Sequence, residues 1–359
     1  MIRTISNYNY TTPFLSPLTG EVCTSYTMKL YIWEGLISAV PGTETYSETI
    51  KNSTASSGDS VIPLNAYLND YISLNHTPQN NTVLTDSDRG IWFLVTVEYA
   101  TADPSDTGVL YSSAVTFAGQ GYSYGYETEN LTDVPGYIAL DGREFKVSRS
   151  SNFIVPIYCP NEDLEKLSIY SYPNNEISAN ITKTITTDSS GIIQLLNVDC
   201  SQTSEDATIE ILYGDGGETL IELEIVDEQR YTPVEIIFVN RYGQDQSITF
   251  FKERNNKVGI ENESYKNRGD ASNVGKHQTL IYNPNGSQSF KVTSGWVPES
   301  YNETLQQLLL SKRCWERIGD TILPLECKTT SLNFLTQTNN DLIQYSLDFE
   351  YAFDLINTK

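Results

Sequence analysis

A chain of 359 residues with 39% hydrophobic residues and a formal charge of −23 holds apolar material for two or three ordinary cores, at one per ~100–200 residues. The acid is unevenly placed: residues 1–232 hold 10 Lys+Arg against 31 Asp+Glu, whereas 233–359 hold 13 against 15. An acidic surface repels phosphate backbones and anionic lipid. The first two-thirds is therefore a poor binder of nucleic acid or membrane, and the near-neutral last third is the better place for contact between like copies.

The 24 Tyr and 12 Phe, set among runs of Thr, Ser and Asn, favour strands joined by turns and predict a mainly β protein. The first segment, 1–20, reads as an extended N-terminal arm: Pro13 and Pro17 bar a helix, and Tyr8, Tyr10 and Phe14 are available to dock on a neighbour. MIRTISNYNYTTPF lacks the apolar centre of a signal peptide, and no apolar run approaches the ~18 residues of a membrane span. These features predict maturation in the cytoplasm and no membrane insertion.

From Ser25 the pattern alternates at period two, with Tyr26, Met28, Leu30 and Ile32 on one side and Lys29, Tyr31 and Trp33 on the other. Further strands are predicted at Tyr46–Ile50, Val61–Leu64, Ile91–Ala100 and Val109–Phe117, with Trp33 and Trp92 as core aromatics. Short strands punctuated in this way predict an immunoglobulin- or fibronectin-like sandwich over 21–125. The segment AGQGYSYGYETEN, 118–130, reads as a connection between domains. Its Tyr122, Tyr124 and Tyr126 also suggest a sugar-binding platform. A second sandwich is predicted over 126–230, with Gly214-Asp215-Gly216-Gly217 turning its last hairpin.

Residues 231–359 are predicted to form a β-rich assembly domain with one helix. Val234–Asn240 and Ser247–Phe251 make a hairpin, and Gln278–Tyr282 and Ser289–Thr293 a second about Asn283-Pro284-Asn285-Gly286. Between them NNKVGIENESYKNRGDASNVGK reads as a polar loop that orders on contact with a partner. A helix is predicted over 298–311, with Pro298 in its first turn and Tyr301, Leu305, Leu308 and Leu309 on its apolar stripe. Cys314–Ile318 and Thr321–Leu325 then form a hairpin about Gly319-Asp320, and Asp341–Phe353 is a long closing strand. Trp296 and Trp315 are candidates for the core or for an interface between copies.

Catalysis has little to stand on. The only histidines are His76 and His277, both in polar loops, and no GxSxG, P-loop or HExxH occurs. Acidic pairs such as Asp86/Asp88, Asp103/Asp106, Asp215/Glu218 and Glu222/Glu224 are expected by chance in so acidic a chain. The first two are loop carboxylates of the type that holds calcium, yet they lack EF-hand spacing. Cys23, Cys159, Cys200, Cys314 and Cys327 contain no CxxC and read as reduced thiols, with Cys314 and Cys327 flanking one hairpin. The expectation is a non-enzymatic protein with no cofactor and no metal.

Three runs carry a resemblance: IIFVNRYGQDQSITFF, SGWVPESYNETLQQLLLSKRCWERIGDTILPLECKT and NNDLIQYSLDFEYAFD. Their order resembles a module of virion proteins in tailed bacteriophages that infect Bacteroidetes, including crAss-like phages. A hairpin, a Trp-led helix, a second hairpin and an aromatic closing strand follow one another there, behind immunoglobulin-like domains. The resemblance implies a structural subunit of the neck or tail, assembled as a ring with identical copies and other virion proteins, without sequence-specific binding of nucleic acid. A carbohydrate- or receptor-binding adhesin of the tail, using the 122–126 loop, is the alternative.

Overall fold

The computed structural model describes residues 2–5, 11–14, 23–34, 38–51, 60–64, 67–68, 70–72, 81, 83–86, 90–103, 105, 107–113, 116–120, 138–158, 164–171, 176–181, 193–202, 206–213, 218–266, 275, 277–334 and 342–356. Strands predominate among these residues, in several mostly antiparallel sheets, so the mainly β expectation holds. The chain divides into two compact units. One comprises Met1–Phe145, Asn152–Glu224 and Val239–Gln246, and the other Lys146–Ser151, Ile225–Phe238 and Ser247–Lys359. The connection expected at 118–130 lies largely outside the described residues.

The first unit opens with β1 (Ile2–Ile5) and β2 (Thr11–Phe14). There follow β3 (Cys23–Trp33), β4 (Tyr46–Lys51), β5 (Ser60–Pro63), β6 (Val83–Asp86), β7 (Gly90–Thr101), β8 (Thr107–Ser112) and β9 (Thr116–Gln120). The predicted alternation of β3 is what builds its core. Tyr26, Met28, Leu30 and Ile32 are buried with Ile91, Phe93, Val95 and Val97 of β7, while Leu64, Leu68 and Ile72 close the cluster. Trp33 and Trp92 pair in register across β3 and β7 and are both buried. Two pieces of the expected arm pair within the chain, β1 in parallel with β9 and β2 antiparallel to β5.

The next strands are β10 (Glu144–Ser148), β11 (Asn152–Tyr158), β12 (Leu164–Ser171), β13 (Glu176–Ile181), β14 (Ile193–Asp199), β15 (Ala207–Tyr213) and β16 (Glu218–Val226). They form a five-stranded sheet, β10-β16-β15-β12-β13, and a three-stranded one, β11-β14-β6. In the latter a strand from the first hundred residues joins one from the second hundred, with Leu84 opposite Leu196. Phe153, Val155 and Ile157 of β11 are buried, as are Ile209 and Ile211 of β15 and Ile221 and Leu223 of β16. Phe145 lies against Phe153 with ring centroids 4.9 Å apart.

The last strands are β17 (Val234–Val239), β18 (Asp245–Phe250), β19 (Arg254–Lys266), β20 (Thr279–Thr293) and β21 (Val297–Pro298), then the helix α1 (Tyr301–Leu310). β22 (Cys314–Ile318), β23 (Thr321–Cys327), β24 (Leu342–Ile343), β25 (Ser346–Tyr351) and β26 (Leu355–Ile356) complete the chain. Seven strands run in the order β18-β17-β22-β23-β25-β20-β19, and β26 adds to β20. One face of this sheet carries the core: Val234, Ile236, Phe238, Ile248, Phe250, Phe290, Val292, Leu347 and Phe349, with Tyr301, Leu305 and Leu308 of α1 buried in the same cluster. The predicted stripe is thus the buried face of the helix, with Leu309 only partly covered.

Three expectations are corrected here. The helix begins at Tyr301, because Val297 and Pro298 pair with Ile343 and Leu342 as a short ladder. The closing strand is broken into β24, which makes that ladder, and β25, which joins the main sheet. Most important, Asn283-Pro284-Asn285-Gly286 is no turn, and 255–266 is no loop. β20 runs straight through the four residues, and β19 pairs with it from Arg254↔Val292 to Lys266↔Thr279. Proline has no N–H to give a ladder. The sheet accommodates it with a register shift, in which Asn283 and Pro284 together face Asn262.

Candidate assembly interface

Among the described residues no group of three or more His, Cys, Asp or Glu is placed to hold a metal ion. His277 is exposed, and His76 lies outside the described residues, as do Tyr122, Tyr124 and Tyr126. Asp88, Asp106 and Asp215 also lie outside them, and Glu222 and Glu224 are exposed on one face of β16. Asp103 has a local task. Its Oδ1 accepts from the Ser105 hydroxyl at 2.7 Å and the Ser105 N–H at 2.9 Å, and these bonds hold its carboxyl below the usual range.

The feature without an intramolecular explanation is the ribbon formed by β19 and β20. At ~3.4 Å per residue, the 13 residues of β19 extend about 40 Å. β19 is the last strand of its sheet, with β20 on one side and no strand on the other among the described residues. Opposed residues share a face, so the core residue Phe290 sets Asn256 on the core side, and Val258 and Ile260 follow at period two. Val258 is 56% exposed and Ile260 67%. Gly286 lies between Ile260 and Leu355 in register. A Cβ there would meet Leu355 Cβ at 3.4 Å, so Leu355 fills the space a larger residue would take. The sheet face that α1 covers near its middle therefore continues outward as an uncovered apolar strip. On the opposite face Tyr265 and Tyr282, both about half exposed, lie with ring centroids 5.9 Å apart.

The root of the ribbon is anchored by charge. Arg254 opens β19, and its guanidinium grips Glu316 of β22, with Nη1 on one carboxylate oxygen and Nη2 3.3 Å from the other. Nη2 also donates to the Tyr351 hydroxyl at 3.0 Å, and that hydroxyl donates to Glu316 Oε2 at 2.6 Å. The guanidinium carbon lies 4.1 Å from the centre of the Phe290 ring, a cation–π contact. Glu316 is fully buried on the core side of the sheet. Burial pulls the Arg254 pKa down, but the bonds and charges of Glu316 and Tyr351 outweigh it and leave it raised. Burial, followed by the bond to Glu316, raises the Tyr351 phenol.

Of the residues singled out in the sequence, Tyr8 and Tyr10 lie outside the described residues, and Phe14 closes β2 opposite Ser60. Trp296 is 58% exposed just before β21, whereas Trp315 is buried on β22. Cys200, Cys314 and Cys327 are free thiols. Cys314 donates to Leu325 O at 3.3 Å, and burial pushes its pKa up to about 12. The exposed strip of Val258, Ile260 and Leu355 was missed in the sequence. Its one signal was the pair Val258 and Ile260, two apolar residues at strand spacing inside an otherwise polar run. No protein-family model matches this chain, and no curated protein matches it.

Proposed function

We propose that this chain is a non-enzymatic structural protein of a phage virion, a subunit of an oligomeric ring in the neck or tail that contacts its neighbours through the second unit. The exposed β19–β20 ribbon is the observation that carries the reading. A long strand edge and an apolar strip left in water are liabilities for an isolated protein, and both are removed when another chain covers them. The charge balance of 233–359 lowers the repulsion between copies, and the order of elements in the resemblance supplies the virion context. The sheets of the first unit are read as tandem immunoglobulin- or fibronectin-like sandwiches, supported by their antiparallel ladders and period-two cores. Purified particles test the proposal. The chain is expected in washed virions at a fixed copy number, as a ring in an averaged electron-microscopy map. Its absence from particles made by infected cells overturns it.

A further inference from the structure

The free edge of β19 is self-complementary, and from this we infer that it pairs antiparallel with β19 of a second copy about a two-fold axis at Gly259. An axis perpendicular to the sheet keeps the core faces of both copies on one side, so residues of like parity meet. With Gly259 opposite Gly259, Val258 meets Ile260 of the second copy, and Lys257 meets Glu261, each pairing occurring twice by symmetry. Asn256 meets Asn262, and Asn255 meets Glu263. No like charges face each other along the strand.

Neighbouring registers lack this match. An axis at Ile260 sets Arg254 against Lys266, and one at Val258 leaves Ile260 against Asn256. Axes at Lys257 and Glu261 set those charges against themselves, and one at Asn262 sets Glu261 against Glu263. Opposite charges and apolar side chains in directly opposed positions stabilise a strand pair, and like charges there destabilise it. Pairing about Gly259 also joins the apolar strips of the two copies into one, flanked on each side by Leu355. This contact goes beyond the ring reading. An isologous contact closes on itself as a dimer, so β19 pairing joins subunits two by two, and a ring built from such dimers closes through a second, heterologous contact, for which the joined apolar strip is left uncovered.

The test is sedimentation velocity on the full-length chain. The wild type is expected to be a dimer in reversible equilibrium with monomer. Lys257→Glu turns two attractive pairs into repulsive ones and raises the dimer dissociation constant about 30-fold. Adding Glu261→Lys in the same chain restores opposite charges and brings the constant back to within about threefold of the wild type. Gly259→Cys is expected to form an intermolecular disulfide on mild oxidation. A Cβ at Gly259 meets only the Ser287 hydroxyl closely, at 3.0 Å, and that hydroxyl can rotate away. Lys266→Cys, at the end of β19, is the control that does not cross-link. Circular dichroism verifies that each variant folds.

A wild type that stays monomeric overturns the inference. So does a dimer that ignores both charge variants and gives no Gly259→Cys cross-link, because its contact lies elsewhere. Either result leaves the virion reading standing if the chain is found in particles. A chain missing from particles that still dimerises through β19 leaves the pairing standing.

Discussion

Glu316 is the residue whose loss should loosen the ribbon most. Its carboxylate is buried and accepts from Arg254 and Tyr351, so Glu316→Leu leaves a guanidinium without its counter-charge. Stranding one member of a buried pair typically costs about 3–5 kcal/mol. The Arg254 side chain is 24% exposed and keeps its contact with the Phe290 ring, so part of its hydration and its cation–π attraction survive. Both discounts bring the expected cost to about 2–3 kcal/mol. Hydrogen exchange read by mass spectrometry localises the effect: amides of Asn255–Val258 and Gln288–Lys291 should exchange about 30- to 150-fold faster than in the wild type. Combining Glu316→Leu with Arg254→Met removes both charges and should recover much of the loss. If Glu316→Leu changes exchange by less than about threefold, or the double variant is worse than the single, the charge cluster is not what anchors the ribbon.

Three further outcomes are expected. Leu305→Ala empties a fully buried position between α1 and the sheet and should cost about 2–5 kcal/mol in urea denaturation; an unchanged midpoint would mean that the helix is not docked there. Asn240 Nδ2 donates to Ala139 O at 2.7 Å, while its Oδ1 accepts from the N–H groups of Tyr242 at 3.0 Å and Gln244 at 3.1 Å. Asn240→Ala should therefore cost about 3 kcal/mol, and Asn240→Asp, which sets a buried carboxylate oxygen against the Ala139 carbonyl, at least as much in the same assay. The Cys314 thiol titrates at about 12 in the fold against 9.0 for an ordinary thiol, so above pH 9 the unfolded chain gives up a proton that the folded chain keeps. The associated stability is intact below that pH and drains away as the pH rises through the window, by up to about 4 kcal/mol. Cys314→Ala should lack this slope when urea midpoints are followed across the window, and equal slopes would refute the assignment.

What the sequence conveyed well was local and periodic. The alternation in β3, the stripe on α1 and the turn at Gly319, where φ is +58°, each follow from side-chain spacing or backbone freedom within a few residues. The errors were non-local. Asn283-Pro284-Asn285-Gly286 carries strong turn chemistry, yet the ladder with β19 overrides it and absorbs the proline in a shift of register. The same misreading hid β19, whose polar sequence suits an exposed edge and resembles a loop for that reason. Pairing of β6 with β14 and of Arg254 with Glu316 joins segments far apart in the chain, and no local pattern announces such contacts. The interface candidates were chosen for being aromatic, whereas the exposed strip is aliphatic.

The two ends of the eight-stranded sheet differ in kind. Every residue of β18 is buried, while nearly all of β19 is exposed. In the vocabulary of polymer chemistry this sheet is, among the described residues, a monofunctional monomer: a strand that adds to it consumes its single reactive terminus and leaves no site for the next. Growth by strand addition therefore terminates after one step, and the protein can display a long sticky margin without seeding fibrils along it.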